Sequence, residues 1–185
     1  MTSGDSPVSA DESWLVLRAQ AGSRPHLERL VVTAHGFLRG RLAPLFDEPA
    51  DAEDVLQDVL FTICRRLGTL NDVRVFRPWA HRIAIRAAWK AINRRRRERQ
   101  REDSVELDSL PAAGGDPPGL DLPALLQSVS PASRIVLTLH YVDGLTLEAT
   151  AAELGVPPGT VKSRLAYGLR QLRDAHAPNA VREEP

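Results

Sequence analysis

The stretch TLEATAAELGVPPGTVKSRLAYGLRQLR, residues 146–173, contains the pattern that decides the fold. Thr146 is a predicted N-cap for a short helix over Leu147–Leu154, because a threonine hydroxyl can accept a hydrogen bond from a first-turn amide. The segment Gly155-Val156-Pro157 predicts a tight turn. A second helix follows, in which the core residues recur at helical spacing: Val161, Leu165, Leu169 and Leu172. Two short helices joined by a glycine-containing turn are typical of a helix-turn-helix.

The face of this second helix that lies opposite its apolar stripe is polar and basic. Long cations can reach phosphates and guanine edges, whereas small residues let a helix backbone approach the major groove closely. This pattern favours DNA reading over the alternative, an amphipathic helix whose basic face is only solvated. The candidate DNA-binding residues of this helix are Thr160, Lys162, Ser163, Arg164, Ala166, Tyr167 and Arg170.

The clearest helix upstream covers residues 52–67, where apolar residues repeat every four positions and form one wide stripe. Asp51 is its predicted N-cap. Asp54, Gln57 and Asp58 share one face off the stripe, and Asp51 extends that face by one turn. These residues form either a docking surface for a basic protein or merely a solvated acidic face. A paired-carboxylate active site is disfavoured because no metal-type histidine accompanies the acids.

The next predicted helix, Pro78–Arg97, is strongly basic. Residues 77–101 include ten Lys or Arg and one acid, a local net charge of 10 − 1 = +9, although the net charge of the whole chain is zero. A helix C-terminus favours only about half a unit charge, so the excess indicates a polyanionic partner such as a phosphate backbone. Aromatic residues interleaved with arginines suggest base stacking, with a core role as the alternative for Trp79. The candidates are Phe76, Trp79, Arg82, Arg86, Lys90, Arg94, Arg95, Arg96 and Arg97.

The predicted fold class is all-α, with two small helical domains, 12–101 and 121–176, joined by a flexible linker, 102–120. The linker composition is rich in Pro, Gly and Asp and shows no helical period, so it has little apolar surface to bury. We expect the C-terminal domain to be the helix-turn-helix.

Several function classes are excluded by composition. A single Cys excludes a disulfide framework and a Cys-based zinc site, and the five His are scattered. We therefore predict no catalytic residues, no metal ligands and no cofactor. The N-terminus has no signal-peptide pattern, and no apolar run approaches the roughly 18 residues that span a bilayer. These features predict a cytoplasmic protein without direct membrane insertion.

Three stretches, taken in order, resemble one family. They are DAEDVLQDVLFTI at residues 51–63, FRPWAHRIAIRAAWKAINRRRR at residues 76–97, and SPASRIVLTLHYVDGLTLEATAAELGVPPGTVKSRLAYGLRQLR at residues 130–173. Together they resemble bacterial RNA polymerase sigma factors of the sigma-70 family, in the extracytoplasmic-function (ECF) group. This resemblance implies a non-enzymatic subunit that binds core RNA polymerase and promoter DNA, with an anti-sigma factor as a further partner.

The resemblance also implies roles for individual regions. It places Asp54, Gln57 and Asp58 against the clamp helices of core polymerase. Asp51, which its spacing puts on the same face, is included with them as a polymerase-binding candidate. It assigns core binding and minus-ten recognition and melting to residues 12–101, with a flipped-base pocket near Asn71–Val75, which adds Asn71 and Arg74 to the DNA-binding candidates. It assigns minus-thirty-five recognition to residues 121–176, where Lys162, Ser163, Ala166 and Tyr167 fall at the reading positions.

Three residues depart from the family pattern. Ile85 and Arg86 stand where the family usually has Arg-Asn, and Lys90 stands where it often has Asp, so an atypical minus-ten sequence is expected. A stand-alone helix-turn-helix transcriptional regulator is the alternative function. Such a regulator would bind operator DNA alone, whereas a sigma factor of this group should bind promoter DNA poorly until it joins polymerase.

Overall fold

The computed structural model of this chain describes residues 10–102 and 126–176. Within these two ranges the regular structure is helical and no strand occurs, which confirms the all-α prediction. The chain divides into two compact units, Met1–Arg95 and Arg96–Pro185. The predicted linker, 102–120, lies outside the described residues except for its first position. The predicted domain limits therefore remain predictions.

The first unit is built from α1 (Ala10–Gln20), α2 (Arg24–Leu42), α3 (Pro49–Arg66) and most of α4 (Phe76–Glu102). α1 packs against α2, and α2 packs against α3. The chain turns between α1 and α2 at Gly22, whose φ of +86° lies in the left-handed region that favours glycine. Short 3-10 turns connect the later helices.

α3 begins three residues earlier than its pattern predicted, at Pro49 rather than at Ala52. Pro49 opens the helix and Glu48 precedes it, so the prediction of Asp51 as the N-cap was wrong. Proline suits the first helical position because its φ is already helical and the amide hydrogen it lacks would have no intrahelical partner there. Asp51 consequently lies inside the first turn, and its side chain is available for a contact with another helix.

The core of the first unit is made of apolar rows that face one another. α2 contributes Leu30, Ala34, Leu38 and Leu42, and α3 contributes Ala52, Val55, Leu56, Val59 and Ile63. Phe76 at the start of α4 is completely buried, and its ring meets Phe37 of α2 edge-on, with centroids 6.4 Å apart. Burial of such a ring contributes about 1.5–3 kcal/mol, so α4 is anchored to α2 at its first residue.

The second unit contains α5 (Pro131–Leu137), a π-helical turn (Thr138–Val142), α6 (Leu147–Leu154) and α7 (Pro158–His176). Both α5 and α6 pack against α7. The buried residues Leu126, Val129 and Leu137 form a cluster. Three leucines of the predicted α7 stripe pack on this cluster: Leu165, Leu169 and Leu172.

The α6–turn–α7 segment confirms the predicted helix-turn-helix. The Thr146 side chain accepts a hydrogen bond from the Ala149 amide at 3.1 Å, which is the predicted N-cap contact. Gly155 ends α6 with a φ of +66°, a left-handed conformation that is strained for residues with a Cβ. α7 then begins at Pro158.

A buried arginine organises the segment before α5. Arg134 is almost fully buried, and its guanidinium donates to the Val129 carbonyl at 2.6 Å and to the Gln127 carbonyl at 3.1 Å. The buried side chain of Gln171 on α7 accepts from the Ser130 amide at 3.0 Å. These contacts satisfy polar backbone groups next to the core, where an unsatisfied group costs about 1–3 kcal/mol.

Candidate functional site

The acidic face of α3 consists of Asp54, Gln57 and Asp58, and all three side chains are exposed. The apolar stripe of the same helix is turned inward, with Val59 and Ile63 buried. Since Asp54 and Asp58 are one turn apart, they present two carboxylates side by side. This face is therefore available to a partner with basic residues, which keeps the predicted docking role open.

Asp51 does not extend this exposed face. Its carboxylate forms an ion pair with Arg95 of α4, and the Asp51 side chain is only 14% exposed. The sequence placed Asp51 on the polymerase face by its helical spacing alone. The structure corrects that placement, because packing of α4 beside the first turn of α3 turns Asp51 into a contact between two helices.

Phe61 is a candidate docking residue that the sequence reading missed. It lies one turn beyond Gln57 on α3, and the residue is 64% exposed. Aromatic residues act as anchors in protein interfaces, and the Phe61 ring is exposed on the same helix as the acidic face, which makes it a candidate for such a role. The available sequence signal was an aromatic residue outside the buried stripe. We define the α3 docking face as Asp54, Gln57, Asp58 and Phe61.

The cations of α4 fall into two classes. Arg82, Arg86, Lys90 and Arg94 are exposed and recur every four residues, about 6 Å apart along the helix. We call these four the α4 basic stripe. Arg97 is also exposed, whereas Arg96 is half-buried and Arg95 pairs with Asp51. The run of arginines at the end of the helix is therefore not one uniform surface.

The two aromatic candidates at the start of α4 behave differently from the expectation of base stacking. Phe76, the first residue of α4, is fully buried against α2, so the prediction that it faces DNA was wrong. Trp79 is half-buried, and its ring lies against Phe76 with centroids 6.1 Å apart. Residues at i and i+3 lie on the same helix face, so one side of the Trp79 ring packs against Phe76. This contact agrees with the core role that the sequence offered as the alternative for Trp79.

The loop that joins α3 to α4 covers residues 67–75 and exposes Asn71 and Arg74. The Asp72 carboxylate accepts from the Arg74 amide at 3.0 Å and from two nitrogens of its guanidinium, each at 2.9 Å. The side-chain hydrogen bonds from Arg74 hold the pKa of Asp72 below its ordinary value. Asp72 therefore neutralises the predicted DNA contact Arg74 in the free protein.

The predicted reading face of α7 is open at its N-terminal half. Lys162, Ser163 and Ala166 are exposed, as is Arg170 further along, whereas Thr160, Arg164 and Tyr167 are half-buried. The Ser163 hydroxyl donates to the Thr160 carbonyl at 3.0 Å. The Arg170 guanidinium lies 5.1 Å from the centre of the Tyr167 ring, a cation–π arrangement that holds both side chains on the outer face.

Other chemistry-bearing groups form no second site in the described residues. Burial raises the pKa of the Cys64 thiol, which keeps it in the protonated, poorly nucleophilic form at neutral pH. Within the described ranges, 10–102 and 126–176, no three His, Cys, Asp or Glu side chains come together as metal ligands. None of the helices described there combines the length and the apolar character that membrane crossing requires.

Two protein-family models match the chain, one in each unit. The model described as Sigma-70 region 2 matches residues 28–98. The model described as Sigma-70 region 4 matches residues 125–174. The first match contains the α3 docking face and the α4 basic stripe, and the second contains α6 and α7 as far as residue 174.

Individual relatives agree with these matches. The chain is similar to the ECF RNA polymerase sigma factor SigE of Mycolicibacterium smegmatis, with 34% identity over 67% of this chain and 51% of that protein. The chain thus spans about half the length of that relative. It is also similar to the RNA polymerase sigma-E factor of Streptomyces coelicolor, with 30% identity over 80% of this chain and 84% of that protein.

A solved structure shares the fold. It is the sigma factor RpoE of Bartonella quintana, crystallised in complex with the anti-sigma factor NepR. The TM-score is 0.52 at 24% identity, and the match covers 80% of this chain and 94% of that one.

Proposed function

This chain belongs to the sigma-70 family, as an ECF sigma factor that directs RNA polymerase to promoters, and from this premise we propose which of its surfaces perform each step. The observation that carries the proposal is the presence of both sigma-70 regions in one chain. A stand-alone regulator would account for the helix-turn-helix but not for the region 2 match over residues 28–98.

The α3 docking face binds core polymerase. Its two exposed carboxylates suit a basic partner surface, and Phe61 supplies an apolar anchor that loses water on binding. Asp51 is left out of this surface because its carboxylate already pairs with Arg95. The charged residues steer and align the partner. The Phe61 ring, which is exposed in the free chain and becomes buried on binding, contributes the larger share of affinity.

The α4 basic stripe and the 67–75 loop contact the minus-ten region. Each cation of the stripe can neutralise a phosphate and release a counterion, which makes binding salt-dependent. The loop receives one base that leaves the stack, a step that costs a few kcal/mol and requires a fitted pocket. Asn71 has the donor and acceptor groups for such a base. Arg86 and Lys90, which replace the usual family residues, add positive charge here.

The N-terminal half of α7 reads the minus-thirty-five element. Lys162, Ser163 and Ala166 provide an exposed mixture of a long cation and small side chains at the end of the helix that enters a major groove. Tyr167 and Arg170 support the outer face one turn further along.

An anti-sigma factor regulates this chain by covering the α3 docking face. The solved sigma factor of Bartonella quintana has such a partner, the anti-sigma factor NepR. In this chain the docking face combines exposed acids with an exposed aromatic ring, and an inhibitor that binds those groups would exclude core polymerase. Competition between inhibitor and core polymerase for the full chain tests this mode of control.

Transcription in vitro with core polymerase, followed by mapping of start sites, tests the overall function. We expect specific initiation only when this chain is added, from promoters that share a minus-ten and a minus-thirty-five element. DNA binding by the free chain provides the control. Tight, specific binding to promoter DNA without polymerase, together with no stimulation of initiation, would contradict the proposal and favour a stand-alone regulator.

A further inference from the structure

Gln20, the last residue of α1, is hydrogen-bonded to the loop between α3 and α4. Its side-chain Nε2 donates to the Leu67 carbonyl at 2.9 Å and to the Leu70 carbonyl at 2.8 Å. One amide group thus bridges two backbone carbonyls that lie 47 and 50 residues away in the chain. Since both hydrogens of the amide are used, the first half of the loop is held in one orientation relative to α1.

Glu12, near the other end of α1, holds the chain just after the loop. Its carboxylate accepts from Arg77 Nε at 2.8 Å, and only 5% of the Glu12 side chain is exposed. The Arg77 guanidinium also lies 5.2 Å from the centre of the Phe37 ring. A nearly buried carboxylate persists only when it is paired, so this contact fixes the beginning of α4 against α1 and α2.

The residues between these two anchors present the exposed groups of the loop. Asn71 and Arg74 face solvent, and the Asp72 side chain organises the backbone of the second 3-10 turn. α1 also contacts both 3-10 turns of the loop, Leu67–Thr69 and Val73–Val75. The loop is therefore supported along its length by one helix, whose buried residues Leu15, Val16 and Ala19 attach it to the core.

We infer that α1 is a buttress that preorganises the 67–75 loop for base recognition, with Gln20 and Glu12 as positioning residues. This inference rests on the proposed role of the loop in reading the minus-ten element. A pocket that must receive an extruded base binds it better when the pocket exists beforehand, because no ordering cost is then subtracted from the contacts. α1 precedes the region 2 match, which begins at residue 28, so its role is not implied by that match.

Two substitutions at Gln20 separate the hydrogen bonds from the volume of the side chain. Gln20→Met keeps a similar length without donors, and Gln20→Glu places a carboxylate against two carbonyl oxygens. Ala21→Glu is the matched control, because it adds the same charge at the next, exposed position. For the second anchor, Glu12→Gln removes the charge of a buried acid, and Asp11→Asn makes the same change at an exposed neighbour.

The experiment measures how well polymerase assembled with the whole 185-residue chain discriminates between two bases in the minus-ten element. Transcription is compared on a promoter with the preferred base at the position the loop reads and on one with a substituted base, at saturating core polymerase. The measured ratio is transcription from the promoter with the preferred base divided by transcription from the promoter with the substituted base. We expect this ratio to fall about fivefold or more in both Gln20 variants, which is the lower end of the discrimination that one good base contact provides. The affinity of the Gln20 variants for core polymerase should change less than about twofold, because the α3 docking face is not part of the loop. The ratio for Ala21→Glu should also change less than about twofold, because this substitution leaves the Gln20 hydrogen bonds in place.

Asn71→Ala distinguishes failure of this inference from failure of the proposed loop function. If Asn71→Ala lowers discrimination and the Gln20 and Glu12 variants do not, the buttress is wrong while the reading loop stands. If Asn71→Ala and the Gln20 and Glu12 variants all leave discrimination unchanged, the 67–75 loop does not recognise a base. Both the proposed function of the loop and the role of α1 are then wrong.

Hydrogen exchange of the loop amides supplies a measurement that does not depend on transcription. Exchange at residues 67–75 should accelerate in Gln20→Met while exchange in the middle of α3 stays near wild type. Uniform acceleration throughout the first unit, with discrimination unchanged among folded molecules, would reduce Gln20 to an ordinary stabilising residue and overturn the inference. Should the Gln20 variants fail to fold, the comparison of Glu12→Gln with Asp11→Asn decides the question in the same way.

Discussion

Asp51 and Arg95 form an ion pair that joins the first turn of α3 to α4. The pair connects the acidic helix to the basic helix, so one residue from each predicted functional surface is used to hold the first unit together. The Asp51 side chain is 14% exposed and the Arg95 side chain 38% exposed. The pair is thus partly shielded from water, which weakens screening by salt.

Loss of this pair should affect stability rather than polymerase binding. Asp51→Asn should lower the free energy of unfolding of the first unit by about 1 kcal/mol, because a charge-assisted hydrogen bond is removed while Arg95 remains hydrated. Asp54→Asn, on the exposed face, should change it by less than about 0.5 kcal/mol. All three tryptophans lie in the first unit, so urea unfolding followed by tryptophan fluorescence measures it. Equal effects of the two substitutions would contradict the assignment of Asp51 to the fold.

Charge reversal on the α3 docking face should abolish competition for core polymerase. Asp54→Arg with Asp58→Arg places two cations where a basic partner is expected, which costs several kcal/mol at a complementary interface. Asp11→Arg with Glu28→Arg reverses two exposed acids on α1 and α2 and serves as the control of equal net charge. Phe61→Ser alone should weaken binding by about tenfold or more if the ring is an anchor. Normal competition by the Asp54 and Asp58 double variant would refute the docking face.

Removal of two cations from the α4 basic stripe should weaken open-complex formation on every promoter. Arg86→Ala with Lys90→Ala should also flatten the dependence of affinity on salt, by about 0.7–0.9 in logarithmic slope for each phosphate that the variant no longer neutralises. Arg24→Ala with Arg29→Ala removes two exposed arginines from α2 and is the matched control. A salt slope that is unchanged in the stripe variant would show that these cations do not bind phosphates.

Lys162→Ala should alter base preference within the minus-thirty-five element. A direct contact to a base edge provides about 1–3 kcal/mol of discrimination. Arg173→Ala removes another exposed cation from the same helix, about 16 Å towards its C-terminus, and should leave the preference profile unchanged. Selection from a randomised upstream element, with the assembled polymerase, measures both profiles. Identical profiles for Lys162→Ala and wild type would remove Lys162 from the reading residues.

Gly168 of α7 lies in close contact with α5. A Cβ placed there would lie 2.9 Å from Leu137 Cδ1 and 3.0 Å from Ser133 Cβ, whereas one at Gly159 would meet nothing within 4 Å. Gly168→Ala should therefore destabilise the second unit by about 1 kcal/mol or more. Gly159→Ala should stabilise it by up to about 1 kcal/mol through the better helix propensity of alanine.

The two tyrosines, Tyr141 and Tyr167, both lie in the second unit. Thermal or urea unfolding followed by their ring NMR signals therefore reports this unit alone. Stabilisation by Gly168→Ala would show that α5 and α7 separate easily and that the contact does not limit packing.

Local patterns in the sequence were sufficient to predict the helix-turn-helix, although they placed the start of α3 at the wrong residue. The Thr146 cap, the Gly155 turn and the leucine stripe of α7 each depend on neighbours within a few residues, so the helix-turn-helix was predicted and is present. The exposed positions of Asp54, Gln57 and Asp58 likewise follow from helical spacing relative to the apolar stripe of α3.

Tertiary packing decided how equivalent residues divide between core and surface. Asp51 and Asp54 look alike in sequence, yet only Asp51 meets an arginine 44 positions further along the chain. Phe76 resembles a stacking residue until α2 covers its ring, and the need for glycine at position 168 arises only from the neighbouring helix. Spacing along one helix defines which residues share a face, but contacts between distant segments, such as Gln20 with the 67–75 loop, determine which face is buried and which remains free to bind.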